Sequence, residues 1–231
     1  MQTTSGTRHN TVEAVICDMD NTLFDFVGAK REACRCVVDY IGAGDPEALF
    51  SRFISGTYGF EDHRNIRGYL DDLGVYDPGT FEVCCRTYED VKLDRIEVYP
   101  GVEETLRHLA DAGIRLAVAT DAELVQARRR LGRTGLIDLF EVVVTPEISG
   151  KRKPEPDSLL YALRRLDTAP AAAMMVGDSP VRDIAPGRRL GMVTAFAAYG
   201  DWHGNGPADA GADIVLARFS ELADHLGIPG R

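Results

Sequence analysis

Apolar residues are scattered until Val12, where a short run to Cys17 is broken only by Glu13 and stops abruptly at Asp18 and Asp20. A brief, nearly continuous apolar run reads as a buried strand. Beyond it the spacing turns helical. Val27, Ala33, Cys34, Val37, Val38 and Ile41 recur on one face, with Asp25 as N-cap and Gly42 as stop. A second helix begins at Pro46, which the first turn tolerates, and carries Ala48, Leu49, Phe50, Phe53 and Ile54. Gly56-Thr57-Tyr58-Gly59 breaks it. Glu61–Leu73 and Thr80–Ile96 read as two more helices, separated by Gly74 and the turn Asp77-Pro78-Gly79. Between Phe24 and Val98 there are helix signals only, so a helical unit follows the first strand.

After Tyr99-Pro100-Gly101 the pattern alternates. Val102–Ala112, ended by Gly113, predicts a helix, and Ile114–Ala119 a strand stopping at Thr120-Asp121. Ala122–Leu131 predicts a helix carrying Arg128, Arg129 and Arg130. Phe140–Val144 predicts a strand, 145–156 a loop, Asp157–Leu166 a helix capped by Asp157, and Ala171–Val176 a strand stopping at Gly177-Asp178. Val181–Leu190 predicts a helix with Pro186 as an expected kink unless it lies in the first turn. Met192–Ala197 and Ile214–Leu216 complete the strands, the long Gly-rich stretch Gly200–Gly211 lies between them, and a helix over Ser220–Leu226 ends the pattern. Strands alternating with helices imply βαβ units and a parallel sheet.

Composition narrows the partners. The chain has 231 residues, 45% hydrophobic and 27% charged, enough to bury a full core in one or two domains. A net charge of −10 disfavours a nucleic-acid polymer or an anionic membrane as partner. Cys17, Cys34, Cys36, Cys84 and Cys85 are odd in number and lack paired CxxC spacing. A disulfide framework or structural zinc is not expected, and buried thiols in a reducing cytoplasm are. The polar opening 1–10 is expected to be a flexible tail, with neither signal-peptide nor membrane-span character.

Polar groups recur where strands stop: Asp18 and Asp20, Thr120, Lys153 past the third strand, and Asp178 with Asp183. In a parallel sheet these ends share one edge, where open α/β sheets bind ligands. Carboxylate oxygens suit Mg²⁺, which takes part of its shell from a substrate phosphate. A Lys beside the ion offsets the phosphoryl charge that bare carboxylates would repel.

Asp18-Met19-Asp20-Asn21-Thr22-Leu23 resembles the DxDxT motif I of the haloacid dehalogenase-like (HAD) hydrolase superfamily. Thr120 matches motif II, Gly150-Lys151-Arg152-Lys153-Pro154-Glu155-Pro156 is similar to the motif III loop, and Gly177-Asp178-Ser179-Pro180-Val181-Arg182-Asp183-Ile184 to the GDSxxDI form of motif IV. All four stand in the family's order. The resemblance implies a Rossmann-like three-layer α/β/α core with a parallel sheet over 11–23 and 99–231, and an all-helical C1 cap over 24–98. It implies Asp18 as nucleophile and Asp20 as general acid and base. Asp18, the Asp20 backbone carbonyl and Asp178 would hold Mg²⁺, while Thr120, Lys153 and the Asp121 backbone bind the phosphoryl group. Asp183 would orient these groups or serve as an outer ligand. Asp121 adds a carboxylate that would repel phosphate, so its side chain is expected to point away.

Family dehalogenases need no proton donor for a halide and typically lack the second Asp. An alkoxide is a poor leaving group that benefits from one. Asp20 therefore favours Mg²⁺-dependent hydrolysis of a small phosphorylated metabolite: a phosphoglycolate-like acid, a sugar phosphate or a nucleotide monophosphate. A phosphomutase using the same site and a non-catalytic binding module of the same fold are the alternatives. In the helical unit Arg52, Tyr58, His63, Arg64 and Arg67 are candidates for reading the leaving group, although a solvent-facing polar helix would look the same. Lys151 and Arg152 fit a solvated basic turn. A monomer and a homodimer are both compatible with the chain.

Overall fold

A computed structural model describes residues 12–202, 204, 206 and 210–228. The expected tail 1–10 and part of Gly200–Gly211 lie outside the described residues. The chain divides into two compact units, Met1–Phe24 with Val98–Arg231, and Asp25–Glu97.

The first unit is built on six parallel strands: β1 Ala14–Cys17, β2 Arg115–Ala119, β3 Val142–Val144, β4 Ala173–Gly177, β5 Val193–Ala197 and β6 Ile214–Leu216. Their order is β3-β2-β1-β4-β5-β6. The order reverses between β1 and β4, the place where such sheets open a crevice at their carboxyl ends. Cys17 is level with Val118 and with Val176, and Ala119 with Val144. Asp18, Thr120 and Asp178 therefore all leave the sheet at one edge. Alternate positions of the central strands (Ala14 and Ile16, Ala117 and Ala119, Ala173 and Met175) pack with Leu159, Ala162, Leu163 and Leu166 in one apolar cluster. The intervening Val15, Cys17, Leu116, Val118, Met174 and Val176 are buried as well. Burial on both faces is why these strands read as apolar runs and not as alternation.

The second unit contains four helices: α1 Phe26–Ile41, α2 Pro46–Ile54, α3 Arg64–Asp72 and α4 Pro78–Asp94. Asp25 accepts from Gly28 N at 2.7 Å, and Gly42 ends α1 in the left-handed conformation. The start of α3 comes three residues later than the pattern predicts. Asn65 Nδ2 donates to the Gly59 and Asp62 carbonyls at 2.9 and 2.8 Å, and Asp62 Oδ1 accepts from Arg64 N, which holds 59–63 as a turn. In α4 the start comes two residues earlier, because Asp77 accepts from Gly79 N and Thr80 N and Pro78 fills the first helical position. Phe53 and Tyr88 stack at 4.6 Å in the interior of this unit.

Among the described residues, the first unit also carries α5 Val102–Asp111, α6 Leu124–Arg133, α7 Pro146–Ser149, α8 Asp157–Arg165, α9 Ala185–Leu190 and α10 Glu221–His225. Three expectations are corrected. The one-turn α7, opened by Pro146 and closed by left-handed Gly150, lies inside the stretch expected to be a loop. Pro156, not Asp157, is the N-cap of α8, with no side-chain cap bond. The helix expected from Val181 begins as a π-turn, Pro180–Ile184, in which Ile184 N reaches Ser179 O at 3.2 Å. Pro186 then sits in the first turn of α9, where its missing N–H is not needed. All five cysteines are free thiols, but only Cys17, Cys34 and Cys84 are buried, whereas Cys36 and Cys85 are partly exposed. No described helix is long and apolar enough to cross a membrane.

Candidate active site

Asp18 is the first residue past β1, and its N–H donates to Val176 O at 2.8 Å, so the sheet itself fixes where its side chain starts. Lys153 Nζ donates to Asp18 Oδ1 at 2.5 Å and to Asp183 Oδ1 at 2.6 Å. Asp183 Oδ2 accepts from Ser179 N at 3.0 Å, so both of its oxygens are engaged. Its proximity to the sheet requires Gly177, because a β-carbon there would collide with the Asp183 carboxylate. Asp178 is fully buried, and neither carboxylate oxygen has a hydrogen-bond partner. One oxygen each from Asp18, Asp178 and Asp183 lie within 4.8 Å of one another.

So many buried carboxylates disturb each other's ionisation. Burial, then Asp18 and Asp183, push the Asp178 carboxyl well above the usual range. Burial also pushes Asp183 up to about 6, against the pull of Lys153. Burial disfavours the Lys153 ammonium, but Asp18, Asp183 and Asp121 outweigh it and raise its pKa. The Arg182 guanidinium is raised in the same way, with Asp183, Asp18, Asp178 and Asp121 overcoming its desolvation. A buried polar group without a partner is costly. Asp18 and Asp178 offer hard carboxylate oxygens of the kind a magnesium-type ion takes.

The loop carrying Asp20 is held from several sides. Asn21 N donates to Phe24 O at 2.9 Å, with Asn21 at a left-handed φ of 60°. Tyr199 Oη donates to Thr22 O at 2.7 Å. Gly200 packs against the Asn21 carbonyl so closely that no β-carbon fits between them. Asp20 Oδ2 accepts from Arg130 Nη1 at 2.7 Å.

Residues 12–191 match the model of a family described as haloacid dehalogenase-like hydrolase. The chain belongs to that family. Over 226 residues this HAD-like hydrolase is 38% identical to the phosphoglycolate phosphatase of Rhodospirillum rubrum, covering 94% of this chain and 92% of the relative. It is 28% identical over 225 residues to the glyceraldehyde 3-phosphate phosphatase of Methanocaldococcus jannaschii, covering 92% and 96%. The solved structure of an HAD phosphatase from Thermococcus onnurineus superposes with a TM-score of 0.67 at 25% identity, covering 94% of this chain and 98% of the other.

In this HAD-like hydrolase Thr120 is buried, and its Oγ1 accepts from Ala122 N at 3.1 Å. Asp121 turns its carboxylate to Lys153 N at 2.9 Å, and its carbonyl accepts from Arg152 Nη1 at 2.7 Å. The side chain thus ties two motif loops together. Arg152 is tied into the same contact, whereas Lys151 lies near Glu155 and Asp157 at the surface.

In the helical unit each candidate cation meets an acid of the same unit. Arg52 pairs with Asp72, Arg64 with Asp62 at 2.6 Å, and Arg67 with Asp71 at 3.8 Å. His63 Nε2 meets Glu89 Oε1 at 2.9 Å. The Arg64 guanidinium lies 5.0 Å from the centre of the exposed Tyr58 ring. Two residues that sequence reasoning missed stand close to the chemistry. Arg130 lies three residues after buried Ala127 and beside buried Leu131, so a charge on the apolar stripe of α6 was its signal. Arg182 had no such signal, since it follows from the unforeseen π-turn.

Proposed function

We propose that this protein hydrolyses a small phosphomonoester through a phosphorylated Asp18. That it is a phosphoric monoester hydrolase of small phosphorylated metabolites rests on its family and on the phosphatases it resembles. The residue roles rest on geometry. The observation that carries them is the pairing of Lys153 with Asp18 and Asp183, beside an Asp178 whose buried oxygens have no partner.

Asp18 attacks phosphorus with one carboxylate oxygen while the bond to the leaving oxygen breaks, and Asp20 gives that oxygen a proton. Water then attacks phosphorus, Asp20 takes its proton, and the bond to Asp18 breaks to release inorganic phosphate. Dividing one displacement into two lowers each barrier. Lys153 holds Asp18 in place and offsets phosphoryl charge, with Thr120 donating to a phosphoryl oxygen. Mg²⁺ fits the oxygen donors of Asp18, Asp178 and the Asp20 carbonyl, and when bound it neutralises charge on the phosphoryl group. Asp183, already bonded through both oxygens, orients Lys153 and the Ser179 loop.

The helical unit Asp25–Glu97 takes the place of the family's cap in chain order. A screen of phosphoglycolate-like acids, sugar phosphates and nucleotide monophosphates with Mg²⁺ tests the reading, with Asp18→Asn as control. Phosphate release lost in Asp18→Asn is expected, and activity surviving in that variant contradicts the assignment.

A further inference from the structure

We propose that Arg130 is a positioning residue that sets the direction of the Asp20 carboxylate, and so acts on the reaction through Asp20. The inference rests on the role given to Asp20 above. Arg130 is 1% exposed, whereas its neighbours Arg128 and Arg129 on α6 are exposed. Removing a guanidinium from water is costly unless a matched anion meets it. An anion that meets it is 110 positions away in sequence and is the carboxylate assigned the proton transfers. The Asp20 side chain keeps one fifth of its surface exposed while its Oδ2 is held by Arg130.

Three further contacts fix the backbone around Asp20. The Asn21 to Phe24 hydrogen bond, the Tyr199 bond to Thr22 and the packing of Gly200 leave the loop little freedom. What remains is rotation about the Asp20 side-chain bonds, and the Arg130 contact restrains it. A guanidinium is suited to this task because its planar fork fixes direction as well as distance, which an ammonium does less well. Proton transfer requires the acid within hydrogen-bond reach, and misplacement by about 1 Å costs on the order of 10²-fold in rate.

The test compares Asp20→Asn, Arg130→Met, Arg130→Lys and the Asp20→Asn/Arg130→Met pair in the full chain with Mg²⁺. Phosphoglycolate and p-nitrophenyl phosphate are the probes. Arg130→Met is expected to lower kcat by about 10²-fold with KM changed by less than about 3-fold. In the double variant the loss should equal that of Asp20→Asn alone, because a residue acting through Asp20 has nothing left to position. Arg130→Lys, which keeps the buried cation if Arg130→Met does not fold, should recover part of kcat. A crystal structure of either variant should show the Asp20 carboxylate in a different rotamer. An unchanged rotamer, wild-type kcat in Arg130→Met, or losses that multiply in the double variant would each overturn the proposal. Asp20→Asn at wild-type rate would instead remove the role of Asp20 itself, which separates that failure from this one.

Discussion

The two units handle charge in opposite ways. In the helical unit Arg52, His63, Arg64, Arg67 and Lys92 each meet an acid of that unit. At the carboxyl edge of the sheet, three buried carboxylates gather together, two of them bonded to Lys153 and Asp178 left without a hydrogen-bond partner. Charges that are matched at home hold a fold together. A buried acid held without a hydrogen-bond partner is costly, and burial raises its pKa. The contrast supports the proposed site in the sheet unit, and it can be attacked from both sides.

The largest effect after loss of the nucleophile is expected at Asp20. Asp20→Asn should slow hydrolysis by about 10²- to 10⁴-fold, the range of general acid–base catalysis. The loss in phosphoryl-enzyme formation should be larger for an alkyl ester than for p-nitrophenyl phosphate, whose leaving group needs less help. Equal losses, read by rapid-quench kinetics, would contradict its role as acid. Next comes Lys153→Met, which takes the ammonium from Asp18 and Asp183 and should destabilise the protein by about 3–5 kcal/mol in denaturant unfolding. A matched pair in the helical unit should cost far less, since exposed ion pairs contribute about 0–1 kcal/mol.

Metal binding sharpens the same contrast. Mg²⁺ should raise the melting midpoint, by an amount equivalent to about 2.7 kcal/mol at 100 times its Kd. Asp178→Asn should remove most of that rise, and an undiminished rise would place the ion elsewhere. The smallest effect concerns pH. Hydrogen bonds to Cys85 and Glu89 raise the His63 pKa to about 9, above its ordinary 6.5. The folded state therefore binds this proton more tightly than the unfolded chain does. That contribution is complete below pH 6.5 and is lost as pH rises towards 9. His63→Gln should flatten this part of the profile of Tm against pH, and a profile unchanged by the substitution would contradict the pairing.

All six strands were legible, the central ones because a strand buried on both faces writes itself as a short apolar run such as Val15–Cys17 or Met174–Val176. The polar residue after each run was legible for the same reason: Asp18, Thr120 and Asp178 stand where the apolar run ends. What adds side-chain direction was harder. Nothing in the spacing of Val181–Leu190 marks a π-turn, so neither its wider start nor the place of Arg182 followed. Three successive arginines in α6 look alike until the helix phase turns only Arg130 inward. The start of α3 was misplaced because Asn65 and Asp62 hold a turn through side-chain bonds that periodicity does not register. The cations of the helical unit were legible as charges, but their acid partners were visible only in three dimensions.

The central claim is that Asp18 carries the phosphoryl group. Rapid acid quench of the Mg²⁺-loaded protein with ³²P-labelled substrate, followed by peptide mapping, tests it most directly. The account predicts an acid-stable, hydroxylamine-sensitive label on the peptide containing Asp18, absent in Asp18→Asn. Phosphate release that continues in Asp18→Asn, or a label on another residue, would contradict it.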